Sequence, residues 1–292
     1  MQLNGAFTAL VTPLKNGALD EDAYRNLIDW QIEQGIDGLV PCGTTGEAAT
    51  MTHEEQGRVI KVCVDQAKGR VPVIAGAGSN NTKEAVELTL LAKNAGADAC
   101  LQITPYYNKP TPSGLLAHFK AIAKDASLPI VVYNVPGRTG LNLLPETLAR
   151  IAGEVPEVIG VKEATANLQQ VSRVTELCGK DFVLLSGDDF TVLPLLSVGG
   201  NGVISVVSNI VPKMMHELCA AFFDGRMDEA LDLHLRMQPL NRAMFLETNP
   251  MPVKTSLSLM GKMGLEFRLP MVELEPDSLT TLKGVLQHNG LI

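Results

Sequence analysis

Val158-Ile159-Gly160-Val161-Lys162, followed by the helical stretch 167–178, is the unit whose reading decides the fold. Its first four residues are apolar or small and three of them are β-branched, the pattern of a strand buried in a parallel sheet. Parallel strands need a crossover, and the amphipathic stretch that follows supplies one. Lys162 closes the run. A lysine at the end of a buried strand stands between the core and the space above the sheet, so its ammonium must be paired, solvated or chemically engaged. Position alone leaves two readings open: a lysine that marks the strand's exit into solvent, or a reactive amine.

Outward from this unit the same alternation runs in both directions. Strands are expected at 7–11, 38–41, 71–75, 99–104, 130–133, 158–162, 182–186 and 202–206. Helices are expected at 22–34, 52–68, 82–94, 113–125, 145–152, 167–178, 190–197 and 212–223. The first helix shows the apolar face clearly, with Tyr24, Leu27, Ile28 and Ile32 on one side. Eight strand–helix units in succession fit a closed (β/α)8 TIM barrel, an α/β fold, occupying residues 1–224. A doubly wound open sheet is the alternative, although no GxGxxG opens a helix. Beyond residue 224 the strands stop. Helical stretches at 228–245, 252–260 and 278–288 predict a small C-terminal helical extension over 225–292.

Composition bounds the function. The chain has 292 residues, of which 46% are hydrophobic and 19% charged, so it can bury a large core. Its net charge of -8 provides no basic excess for phosphate backbones, which argues against nucleic acid as a partner. Anionic substrates would have to be held by local donors. The five cysteines, Cys42, Cys63, Cys100, Cys178 and Cys219, are scattered and form no CxxC pair, so neither a disulfide framework nor a structural zinc site is expected. His53 and His118 form no HExxH pair, and no metal is expected. No secretory leader and no apolar run of membrane-spanning length is read, so a cytoplasmic protein with no membrane partner is the expectation.

In such barrels chemistry sits where strands end. The second strand leads into Gly43-Thr44-Thr45-Gly46-Glu47, the fourth into Thr104-Pro105-Tyr106-Tyr107-Asn108, and the fifth into Tyr133-Asn134-Val135-Pro136-Gly137-Arg138. The seventh ends in Ser186-Gly187-Asp188-Asp189 and the eighth in Ser205. The glycine-rich loop after the second strand is either an anion cradle or a helix-entry turn capped by threonine. Tyr133 is either a proton relay or a half-buried aromatic. Arg138 offers a planar fork for a carboxylate, or lies on the surface. Asp188 and Asp189 read as a solvated loop start rather than ligands. A lysine, a phenol and hydroxyls suit Schiff-base chemistry, in which a neutral amine attacks a ketone. With an ordinary pKa of about 10.4, only about one lysine in 2,500 is neutral at pH 7. Bringing the pKa to about 7 needs roughly 4 to 5 kcal/mol, part of which burial can supply.

At these residues the sequence resembles the dihydrodipicolinate synthase family, within the N-acetylneuraminate lyase superfamily that works through a pyruvate Schiff base. The likeness runs along the whole chain: ALVTP at 9–13, GTTGE at 43–47, PVIAGAGSN at 72–80, TPYYNKP at 104–110, YNVPGRTG at 133–140, VIGVKEA at 158–164, LLSGDD at 184–189 and GVISV at 202–206. The resemblance implies condensation of pyruvate with L-aspartate 4-semialdehyde in lysine and diaminopimelate synthesis, without a cofactor. It implies Lys162 as the imine-forming amine, Tyr133 as proton relay, Thr44 as its partner, and Tyr107, contributed by a neighbouring subunit, as the third member. Thr45 would bind the pyruvate carboxylate and Arg138 that of the semialdehyde; Gly187 and Ile204 would line the pocket. The alternatives are N-acetylneuraminate lyase and 2-keto-3-deoxy-sugar-acid aldolases, which share the lysine, and a non-catalytic binding barrel, which would not need it. Arg138 and the Tyr106-Tyr107 pair favour the synthase. The resemblance further implies a homotetramer, a dimer of dimers, inhibited by L-lysine between subunits at Ala48, Ala49, His53, Asn80, Glu84 and Tyr106. Gln56 departs from some lysine-sensitive members, which carry histidine there, so weakened inhibition is the expectation.

Overall fold

The computed structural model describes residues 3–292. The barrel strands are β1 (Gly5–Ala9), β2 (Gly38–Val40), β3 (Ile74–Gly76), β4 (Ala99–Ile103), β5 (Ile130–Asn134), β6 (Val158–Glu163), β7 (Val183–Ser186) and β8 (Gly202–Ser205). All neighbouring pairs are parallel, in the order β2-β1-β8-β7-β6-β5-β4-β3. A parallel bridge from Leu39 to Val73 closes the ring. Helices α1 (Glu21–Glu33), α2 (His53–Ala67), α3 (Thr82–Ala95), α4 (Pro112–Ala126), α5 (Pro145–Glu154), α6 (Leu168–Cys178), α7 (Val192–Ser197) and α8 (Pro212–Phe223) follow the strands in turn. The closed barrel is the expected one, and the open-sheet alternative is excluded. Three further helices, α9 (Met227–Ala243), α10 (Met251–Leu259) and α11 (Pro276–His288), form the C-terminal extension. No helix of the described residues is long and apolar enough to cross a membrane.

The core has two layers, as a barrel requires. Phe7, Val40, Ile74, Leu101, Val131 and Leu185 fill the interior. Leu39, Ile60, Phe119, Val132, Val161 and Leu184 lie among the residues packed between barrel and helices. Adjacent residues such as Val131 and Val132 fall in different layers because side chains alternate along a strand.

Strand β6 breaks that alternation once. Its register against β5 steps from Ile130 opposite Val158 to Val131 opposite Gly160, so one extra residue is inserted. A bulge of this kind re-aims every side chain after it. Val158 packs in the outer layer, yet Lys162, four residues on, pairs in register with Tyr133 and faces the cavity. Gly160 makes room for the step: a Cβ there would lie 2.5 Å from the Val183 carbonyl oxygen.

Two features were not anticipated. A hairpin pairs Leu14–Lys15 with Ala18–Leu19 through Asn16-Gly17, both at positive φ. A one-turn helix, Pro136–Thr139, carries Arg138. Lys162 also lies one residue inside its strand rather than at its exit, since β6 continues to Glu163. Its side chain is on the inner wall of the barrel, and the solvent-exit reading is corrected.

Candidate active site

Lys162 is only 6% exposed. Its ammonium nitrogen stands 4.3 Å from the centroid of the Tyr133 ring on the next strand. Burial drives the lysine pKa down to about 8; the nearby Arg138 cation lowers it too, and Asp189 opposes the shift. A cationic neighbour and a dry site are the two means by which an amine is made nucleophilic at neutral pH. Tyr133 shifts the other way, to about 12, because burial disfavours its phenolate; Arg138 and a hydrogen bond with the Thr44 side chain temper the rise. The phenol is therefore protonated at neutral pH and able to hand on a proton.

These groups line a cavity of about 500 Å³ at the ends of the strands, with Thr44, Thr45, Arg138 and Gly187 on its wall. Thr45 is buried, and its Oγ1 accepts from Asn249 Nδ2 at 3.0 Å. Gly187 gives the lysine its space: a Cβ at this position would sit 3.1 Å from Lys162 Cε and 2.7 Å from the Ala164 Cβ.

Two expected members are not on the wall. Ile204 packs within the barrel interior with Phe7 and Leu185 and is not among the lining residues. Tyr107 is 89% exposed, holds a left-handed backbone at φ +69°, and does not reach the cavity of its own chain. Asp189 departs from its reading as a solvated loop start. It is 2% exposed, and its Oδ2 accepts from the amides of Val206 and Val207 at 3.0 and 2.9 Å. Burial raises its pKa, and it is the negative charge that opposes the depression of Lys162.

The residues of the expected lysine site are partly gathered. Ala48, Ala49, His53, Glu84 and Tyr106 line the same cavity. Asn80 is not on the wall and donates Nδ2 to the Tyr106 carbonyl oxygen at 3.0 Å. Glu84 is already engaged, accepting from Ser79 Oγ at 2.8 Å and from Asn81 Nδ2 at 3.1 Å. Gln56 is buried and donates Nε2 to the Ala48 carbonyl oxygen at 3.1 Å. Among the described residues no cluster of three or more His, Cys, Asp or Glu could hold a metal ion.

One part of the site was missed altogether. Glu47, the acid of the glycine-rich loop, forms a fully buried ion pair with Lys254 of α10. A buried unpaired charge would be untenable there, so each residue requires the other. The two are 207 positions apart, and only the glutamate in an otherwise uncharged loop hinted that a partner exists.

Comparison with known proteins bears directly on this arrangement. A family model described as the dihydrodipicolinate synthetase family matches residues 2–289. A 4-hydroxy-tetrahydrodipicolinate synthase from Maridesulfovibrio salexigens is 71% identical over 292 residues, covering 100% of both chains. A dihydrodipicolinate synthase from Acinetobacter baumannii, solved in complex with pyruvate, superposes with a TM-score of 0.97 at 42% identity, covering 100% of both chains. Its counterpart from Cyanidioschyzon merolae, solved with lysine bound, superposes with a TM-score of 0.96 at 40% identity over 99% of each chain.

Proposed function

Given that this chain belongs to the dihydrodipicolinate synthetase family, we propose that it condenses pyruvate with L-aspartate 4-semialdehyde to 4-hydroxy-tetrahydrodipicolinate, with Lys162 as the amine that carries pyruvate. The observation that supports this most is the lysine itself. It is buried on the inner wall of the barrel, brought to a pKa of about 8, and set against a protonated phenol.

The neutral amine of Lys162 attacks the ketone carbon of pyruvate. The resulting carbinolamine loses water with a proton delivered through Tyr133, and an imine forms. Thr44 keeps the phenol oriented. Thr45 and the loop amides hold the pyruvate carboxylate. Loss of a methyl proton gives an enamine, whose carbon attacks the semialdehyde aldehyde. The semialdehyde's amino group then adds to the imine carbon, which closes the ring, and cleavage of the bond to Nζ with a proton to that nitrogen frees Lys162. Arg138 holds the semialdehyde carboxylate with its planar fork, as a point-charge lysine would not. This clamp is what separates the synthase from sugar-acid aldolases that use the same imine.

We read the exposed Tyr107 as serving a neighbouring copy, in a tetramer built as a dimer of dimers. L-lysine is taken as a weakened inhibitor bound between subunits, with Glu84 facing its ammonium, since Gln56 has no charge to contribute. A cytoplasmic site of action belongs to the same reading. Initial rates test these assignments. Activity is expected with pyruvate plus L-aspartate 4-semialdehyde and not with N-acetylneuraminate; the opposite preference overturns the assignment. Added L-lysine is expected to slow the reaction at millimolar concentration, and no inhibition there removes the regulatory part.

A further inference from the structure

Thr45 and Arg138 stand on loops after different strands, and one segment from outside the barrel touches both. Asn249, buried just before α10, donates Nδ2 to Thr45 Oγ1 at 3.0 Å. Its main-chain oxygen accepts from the Arg138 guanidinium in a long contact of 3.5 Å. The residue lines the cavity, and its side-chain Oδ1 is buried without a protein partner. One and a half turns further along, Lys254 is fully buried and ion-paired to Glu47, and donates to the Glu266 carbonyl oxygen at 2.6 Å. The amide of Arg268 donates to the other oxygen of Glu47 at 3.3 Å. Thr45 and Glu47 flank Gly46, so the C-terminal extension grips the catalytic loop on both sides of one residue.

We propose that Asn249 is a positioning residue for the pyruvate carboxylate: it presets the Thr45 hydroxyl as a donor into the cavity. The inference rests on the reading of Thr45 given above. A hydroxyl has one hydrogen to give. With a lone pair of Thr45 Oγ1 engaged by the Asn249 amide, that hydrogen is left for the cavity, where a carboxylate needs a donor. The Lys254–Glu47 pair holds α10 in register with the loop, so the donor points the same way before substrate arrives. An aspartate at 249 keeps the shape but only accepts when ionised. It would take the Thr45 hydrogen and set a negative charge beside the bound anion.

The test is a set of four variants, Thr45→Val, Asn249→Ala, Asn249→Asp and the Thr45→Val/Asn249→Ala double. Each is assayed for KM of pyruvate, for kcat per borohydride-trappable site, and for melting temperature. Thr45→Val and Asn249→Ala are each expected to raise the pyruvate KM about tenfold, the scale of one hydrogen bond to a charged group. The double variant should match the singles, because both remove the same donor. Asn249→Asp should be worse than Asn249→Ala, while kcat per trappable site changes far less. A purely structural part for Asn249 gives the reverse order: the isosteric aspartate stays nearest wild type, and losses appear in melting temperature and site count. That order, or multiplying effects in the double variant, overturns the proposal. If Thr45→Val leaves the pyruvate KM unchanged, the Thr45 assignment falls and takes this inference with it. If Thr45→Val raises it and Asn249→Ala does not, Thr45 stands and only the role of Asn249 falls.

Discussion

The pKa of Lys162 lies at about 8 in the folded chain against an ordinary 10.5. Between those values the folded state binds fewer protons than the unfolded one, so stability rises with pH across that window. The destabilisation is fully present below pH 8 and is relieved as pH climbs to 10.5. At about 1.36 kcal/mol per unit, this lysine costs the fold about 3 kcal/mol at neutral pH. Lys162→Met is accordingly expected to abolish activity and stabilise the chain at pH 7, by up to about 3 kcal/mol in urea unfolding, with a smaller gain at pH 9.5. A less stable Lys162→Met at pH 7 contradicts the burial argument. The same shift sets the rate profile. kcat/KM for pyruvate should rise about tenfold per pH unit from 6 to 7 and level off above 8 as the neutral amine saturates. A flat profile from 6 to 9 excludes Lys162 as the titrating nucleophile. Arg138→Ala should cripple condensation while pyruvate still labels the enzyme, and loss of labelling would mean that Arg138 has another role.

At the scale of elements, the catalytic geometry depends on the bulge in β6 and on the grip of α10. The bulge turns Lys162 from the helix side to the inside, and Gly160 allows it, because any side chain there meets the Val183 carbonyl. Gly160→Ala is expected to lose imine formation by at least about tenfold while circular dichroism keeps its α/β signature. Unchanged trapping would show that the strand tolerates the Cβ. Lys254→Met leaves Glu47 buried and unpaired, a loss of about 3 to 5 kcal/mol in unfolding free energy. Lys254→Met/Glu47→Leu should recover much of it, and no recovery would mean that the pair is not what matters. Strand positions were legible because apolar runs and turn residues alternate at regular intervals, a property of local sequence. The bulge was not, since an inserted residue shows only against its partner strand. The hairpin does carry a local signal, the Asn16-Gly17 pair whose positive φ suits a tight turn. Asp188 and Asp189 look alike in sequence; the second is set apart by the amides of Val206 and Val207, just past the end of β8, which bond its carboxylate. Asn249 and Lys254 carry no local mark, because their partners lie about two hundred residues away.

At the scale of the whole molecule, the chain has a net charge of -8, so the anions of the proposed reaction need local donors, the role proposed for Thr45, the loop amides and Arg138. Of the two expected members that do not line the cavity, Ile204 is buried in the barrel interior and Tyr107 stands out in solvent, at 89% exposure. A phenol shared between copies makes a distinctive prediction. Lys162→Ala and Tyr107→Ala chains, each nearly inactive alone, should regain activity when unfolded together and refolded. Random pairing in a two-fold dimer restores about a quarter of the sites. No recovery on mixing, with both chains folded, would confine the active site to a single chain and leave Tyr107 without a part in it. The central claim is narrower: one amine, on the inner wall of β6, carries pyruvate. Reduction with borohydride in the presence of pyruvate, followed by peptide mass mapping, tests it most directly. The account predicts one pyruvate-derived adduct per chain, on Lys162; an adduct on another lysine, or none, contradicts it.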